Sequence, residues 1–214
     1  MFKTLFLLII TLFPVLSSAN LAKYVHIRET VFWQQLYNEK YHTLYCAIHK
    51  TGQQNSVVTH AYPLSWMANA MECPSEAQCN YARYKDAAAD LHNLWPVEEK
   101  ILDMRKHYVF FDGDESQGKK SDCNFITYPR GVEPRDYAKG EIARSMLYMM
   151  WRYRMPDYEQ LPLMMQWHKT YPVNSEERWR NEKIKAIQGN ENPFINKPDY
   201  ADSFFGPALK SRGK

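Results

Sequence analysis

Val57-Val58-Thr59-His60-Ala61-Tyr62-Pro63, with its later companion Ala89-Asp90-Leu91-His92-Asn93-Leu94-Trp95-Pro96, decides how this chain is read. The first run is apolar and rich in β-branched residues, and Pro63 ends it, so it predicts a short strand over 57–62. Alternation places Val58 and His60 on one face and Thr59 on the other. A lone histidine at such a place is more often a hydrogen-bonded structural residue than a reactive one. The second run closes an Ala-rich segment, and the pattern predicts a helix over 81–94 stopped by Pro96. On that helix Asp86, Asp90 and Asn93 share a face. Hard oxygen donors of this kind suit Mg²⁺, which takes one or two protein ligands and keeps several waters. An ordinary solvated helix face has the same composition. Together the runs predict a strand, a loop and a helix, with an imidazole facing oxygen ligands. Such a set can hydrolyse a phosphodiester: the imidazole takes a proton from water, an ion polarises the phosphate, and an arginine grips it.

Working outward, 31–41 reads as an amphipathic helix with Phe32, Leu36 and Tyr37 at helical spacing. A strand is expected over 45–48, separated by a polar turn at 50–55 from the strand holding His60. Segments 108–111 and 125–128 read as strands around an acidic, exposed loop. The last third predicts helices over 137–153, 161–170 and 175–187, with Ser175 as N-cap and Gly189 as C-cap. The fold class is α+β, mainly helical, in a single domain over 20–195, with a loosely ordered polar tail over 196–214.

The first residues resemble an export leader. Lys3 supplies the positive charge, 5–15 is almost wholly apolar, and Ser17-Ser18-Ala19 provides small residues for cleavage after Ala19. The apolar run is shorter than the roughly 20 residues a spanning helix needs. This predicts a signal peptide over 1–19 and a periplasmic or secreted protein with no stable membrane association once the leader is removed. The formal charge of +3 is compatible with a phosphate backbone as partner without demanding one. An aromatic content of 14% argues against disorder. The cysteines are Cys46, Cys73, Cys79 and Cys123, and an even number in an exported chain predicts two disulfides. Three pairings exist. Cys73 with Cys79 is favoured because its loop is short, and Cys46 with Cys123 follows by elimination. A zinc site is the weaker alternative, since Cys-x-x-Cys and paired His spacings are lacking.

The motifs resemble the bacterial endonuclease I family, nucleases of the ββα-metal (His-Me finger) type. The resemblance runs from about Phe32 to Ile195. It rests on His60-Ala61-Tyr62-Pro63-Leu64-Ser65-Trp66 and on residues 89–96 quoted above. Val132-Glu133-Pro134, Lys139-Gly140-Glu141-Ile142-Ala143-Arg144, Leu147-Tyr148-Met149 and Gln188-Gly189-Asn190-Glu191-Asn192-Pro193-Phe194 follow in the family order. The resemblance implies a small ββα-metal motif within the helical domain, His60 as general base, Asn93 as a ligand of one Mg²⁺, and cleavage of DNA and often RNA to 5′-phosphates. The implied partners are duplex and single-stranded DNA and RNA, bound by a monomer.

One departure stands out. The family carries a Glu immediately before the His, as the other metal ligand, and this chain carries Thr59. A hydroxyl brings no charge to offset an ion. Three outcomes stay open: Thr59 holds a metal-bound water, Asp90 or Asp86 replaces the missing carboxylate, or the chain is a catalytically silent relative. A family Asn a few residues beyond Leu-Trp-Pro is also lost, with Leu102 near that place. For the phosphate-gripping arginine, Arg83 lies in the interval between the motifs, and Arg105 and Arg144 are further candidates. A salt bridge from Arg144 to Glu133 or Glu141 is the plainer expectation. Trp66, Trp95 and His92 read as core and support.

Overall fold

A computed structural model describes residues 25–212, so the expected leader over 1–19 lies outside the described residues. The first helix, Ile27–Leu36 (α1), has π geometry and buries Val31, Phe32, Trp33 and Leu36. It stops short of the expected end because the Tyr37 amide bonds back to the Phe32 carbonyl at 2.9 Å and the chain turns into a strand. That strand, Lys40–His42 (β1), pairs antiparallel with His49–Thr51 (β2). The strand expected over 45–48 is therefore absent: these residues lie in the connection between β1 and β2, and Ala47 sits at φ 53.

Ser56–His60 forms the expected strand (β3). Helices Leu64–Ala70 (α2) and Ala82–Ala88 (α3) follow. The helix expected over 81–94 is shorter in the structure. It ends at Ala88, residues 91–93 turn, and Leu94–Glu98 is a strand (β4) antiparallel to β3. Register puts Thr59 opposite Trp95 and His60 opposite Leu94. Leu94, Trp95, Pro96 and Val97 are all buried, so this short run gains more from pairing and packing than from continuing a helix. Pro96 is tolerated because a two-stranded ribbon leaves each strand an outer edge, and its carbonyl accepts from the Leu44 amide at 2.9 Å. Glu99–Arg105 (α4) follows at once. The motif is thus strand, long excursion, strand, helix.

A second sheet of four short strands has the order β5 (Val109–Phe110), β8 (Gly131–Glu133), β7 (Ile126–Thr127) and β6 (Lys119–Lys120). Its β5–β8 pair is parallel. The core is organised by Asp136–Tyr153 (α5), in which every residue from Ala138 to Met150 is buried. A helix covered on all sides is a central helix rather than a surface one. Leu161–Thr170 (α6) packs along it and Ser175–Gln188 (α7) follows. The N-cap of α7 is Asn174, whose side chain accepts from the Glu177 amide at 2.8 Å, not Ser175. Gly189 at φ 85 closes it.

The tail is not loose. Pro193–Asn196 (α8) and Tyr200–Arg212 (α9) follow, with Phe194, Ala201 and Phe205 buried. The Phe194 and Tyr200 rings stack at 5.8 Å. Apolar residues spaced among polar ones were enough to dock a helix. Both disulfides have the favoured pairing, Cys73–Cys79 and Cys46–Cys123, separated by 6 and 77 residues. In the chain-entropy picture the long closure restrains the unfolded chain by about 4.5 kcal/mol and the short one by about 2. Among the described residues no helix is long and apolar enough to cross a membrane.

Candidate active site

β3, the start of α2 and α4 converge on one open cleft of about 270 Å³. Thr59 and His60 reach it from β3, Ser65 from α2, Leu102 from α4, and Lys106 from the turn after α4. Arg105 sets the position of α4. It is fully buried, donates to the Tyr45 hydroxyl at 3.2 Å and the Ala61 carbonyl at 3.4 Å, and lies 4.2 Å over the Phe110 ring. Its guanidinium is thereby engaged with the scaffold.

His60 is partly buried at the end of β3, and its Nε2 lies 2.9 Å from the Ala88 carbonyl. A carbonyl only accepts, so this contact fixes Nε2 as the protonated nitrogen and puts the lone pair on Nδ1. Burial pushes the imidazole down to about 4, and the nearby Arg28 charge adds to that, while the Ala88 bond opposes it. The ring is consequently neutral near pH 7, the state a proton acceptor needs.

Asn93 is elsewhere. It is fully buried, its Oδ1 accepts from the Tyr62 amide at 2.7 Å, and its Nδ2 donates to the Tyr62 carbonyl at 3.1 Å. Together with the Ala61 amide bonded to the Asn93 carbonyl at 3.0 Å, this ties the end of β3 to the start of β4. Asp90 is equally committed. Its carboxylate accepts from the His92 amide at 2.9 Å, Gln188 at 2.7 Å, and the Tyr148 and Tyr153 hydroxyls at 2.8 Å each. Asp86 lies exposed on α3, so the shared helix face of Asp86, Asp90 and Asn93 does not exist. His92 is buried support: its ring packs 4.6 Å from Tyr148, and burial lowers it to about 4. Trp66 and Trp95 are core.

The other arginines also serve the scaffold. Arg83 donates to the carbonyls of Tyr153, at 2.9 Å from Nε, and Arg154, at 3.1 Å, capping the end of α5. Arg144 forms a two-point ion pair with Glu177, at 2.6 and 2.7 Å, rather than with Glu133 or Glu141.

The Mg²⁺ implied by the resemblance does not fit this donor set. The cleft offers a neutral residue at Thr59, a hydrocarbon at Leu102 and the His60 imidazole, while the buried Asn93 amide is bonded to the Tyr62 backbone and the Asp90 carboxylate to protein donors. Hard cations require oxygen donors and at least one charge to offset their own. Among the described residues no group of three or more His, Cys, Asp or Glu side chains could hold a metal. The expectation of a magnesium ligand at Asn93, Thr59 or Asp90 is thus not met by these side chains.

Sequence reasoning missed Lys106, Arg28, Ser65 and His107, all of which line the cleft. No periodic signal marks Lys106, because it leaves the helix at φ 44. A larger cavity of about 710 Å³ lies between β1 and α7, walled by Tyr41, Trp179 and Arg180, and does not include His60.

A family model described as Endonuclease I matches residues 21–199. An extracellular ribonuclease of Bacillus amyloliquefaciens is 32% identical over 145 residues, covering 59% of this chain and 50% of that protein. A periplasmic deoxyribonuclease of Aeromonas hydrophila is 30% identical over 146 residues, covering 64% and 62%. Endonuclease-1 of Buchnera aphidicola subsp. Acyrthosiphon pisum is 35% identical over 121 residues, covering 55% and 48%. The chain thus spans about half the length of the relatives it matches.

Proposed function

This chain belongs to the Endonuclease I family, and from that premise we propose that it is a nuclease acting outside the cytoplasm on nucleic-acid phosphodiester bonds. The observation that carries the reading is His60: a neutral imidazole, fixed in one tautomer by the Ala88 carbonyl, at the wall of an open cleft. Nδ1 accepts a proton from a water aimed at phosphorus, the new P–O bond forms, and the bond to the 3′ oxygen breaks. The leaving oxygen takes its proton from solvent, and a 5′-phosphate remains. Contacts to phosphate carry no sequence information, which suits weak sequence preference. The relatives described as extracellular or periplasmic agree with the leader-like first residues in placing the protein outside the cytoplasm.

A second reading is favoured by one observation. Thr59 and Leu102 line the cleft at the places where the resemblance implies a carboxylate and an amide, and a protein with that change can bind nucleic acid without cutting it. Plasmid incubated with the chain from Asn20 onward, beside a His60→Ala variant, separates the two. The nuclease reading expects nicking by the wild type and its loss in the variant. Equal cutting by both contradicts a role for His60. Intact plasmid with equal gel retardation by both establishes the binding reading.

A further inference from the structure

Two basic residues, Arg28 and Lys106, line the cleft that also holds Thr59, His60 and Leu102. Lys106 caps the C-terminus of α4 and, with Leu102 of that helix, lines the cleft. Its backbone is at φ 44, ψ −129, a region glycine enters freely and a long side chain only at a cost of roughly 1–3 kcal/mol. The conformation is held by the Lys106 amide on the Leu102 carbonyl at 3.0 Å and by Arg105 on the Lys106 carbonyl at 3.4 Å. An outlier this costly, at the mouth of the cleft with the catalytic imidazole, points to use of the side chain. Arg28 lines the same cleft, as does Ser65, whose Oγ has no hydrogen-bond partner among the described residues. Against these, the Arg28 guanidinium lies 3.3 Å from the Glu29 carboxylate, and Glu76 is the acidic residue in the lining.

We propose that the Lys106 ammonium, with Arg28 beside it, holds the phosphodiester next to His60 in place of a divalent ion, so that nucleic acid binds this cleft without magnesium. The inference rests on the cleft being a nucleic-acid site. An ammonium is a compact point charge with three donors, well suited to a phosphate oxygen. It lacks the second charge and the water shell of a divalent ion, so it secures binding more fully than it speeds bond breaking.

The test is anisotropy of a short fluorescent DNA duplex titrated with the mature chain over a salt series, once in EDTA and once in Mg²⁺. The expected result is an affinity in EDTA within about twofold of that in Mg²⁺, falling steeply with salt. Lys106→Gly, which suits the local backbone, should weaken binding roughly fivefold and flatten the salt slope by about one. Its melting temperature should hold or rise, and Lys106→Arg should restore affinity. A tenfold or greater loss in EDTA, or an unaltered affinity in Lys106→Gly, overturns the inference while leaving a nucleic-acid site in place. Absence of binding with and without Mg²⁺ overturns both the inference and the site.

Discussion

The knot around Asp90 and Asn93 and the cleft around His60 come from one pair of motifs, yet they treat polar groups in opposite ways. In the knot each side-chain polar atom of Asp90 and Asn93 is bonded to protein, by two hydroxyls, an amide side chain and backbone groups. In the cleft His60, held by the Ala88 carbonyl, and Lys106 line an open surface. The difference teaches that a buried side chain with full hydrogen bonding is scaffold, however reactive its chemistry looks, because displacing its partners costs more than a ligand returns.

The comparison can be broken most severely at His60. His60→Ala should lower phosphodiester hydrolysis by about 10³-fold while the melting temperature moves little, as read by plasmid nicking and thermal unfolding. A comparable residual rate would dissolve the contrast. Asp90→Ala should do the reverse: roughly 3–5 kcal/mol of stability lost in urea unfolding, since the donors of Tyr148, Tyr153 and Gln188 lose their acceptor in the interior. Asn93→Ala should cost about 2 kcal/mol by leaving the Tyr62 amide unpaired, with DNA affinity of the folded fraction unchanged.

pH sharpens the contrast. His60 and His92 are both held near 4 in the folded state, below the ordinary histidine value. The unfolded chain therefore binds protons first as pH falls from about 6.5, and both residues withdraw stability progressively down to about pH 4. Activity that needs neutral His60 should persist to about pH 5 and halve near pH 4. An acid limb centred near 6.5 would show His60 to be solvated. His42 runs the other way: despite the opposing pull of burial, its contacts with Glu141 and Glu176 raise it, so its contribution is present at low pH and is lost as pH rises through the raised value. The smallest effect belongs to Arg83→Ala, under about 1 kcal/mol with no loss of DNA affinity, since its bonds are to exposed helix-end carbonyls.

Much of this molecule was legible from its residues. Met146, Met149 and their neighbours repeat at helical spacing, and α5 through α7 follow. The disulfides obey loop length. His60 sits on its expected strand. What escaped depends on partners distant in sequence. Leu94-Trp95-Pro96 has no strand alternation, and only pairing with β3 makes it one. Without that pairing Asn93 falls on a helix, and α4, which begins at Glu99, is not visible, although Leu102 and Lys106 line the cleft with His60. Lys106 could not be found from propensity, because its backbone conformation is one propensity disfavours.

Calorimetric titration with Mg²⁺ tests the central assignment most directly, comparing the wild type, a Thr59→Glu/Leu102→Asn double variant and Asn93→Ala. If the cleft lies between Thr59 and Leu102, the wild type gives no saturable heat and the double variant gains a one-ion site. A wild-type site that disappears in folded Asn93→Ala, with no gain in the double variant, would contradict it and return the metal to the loop before β4.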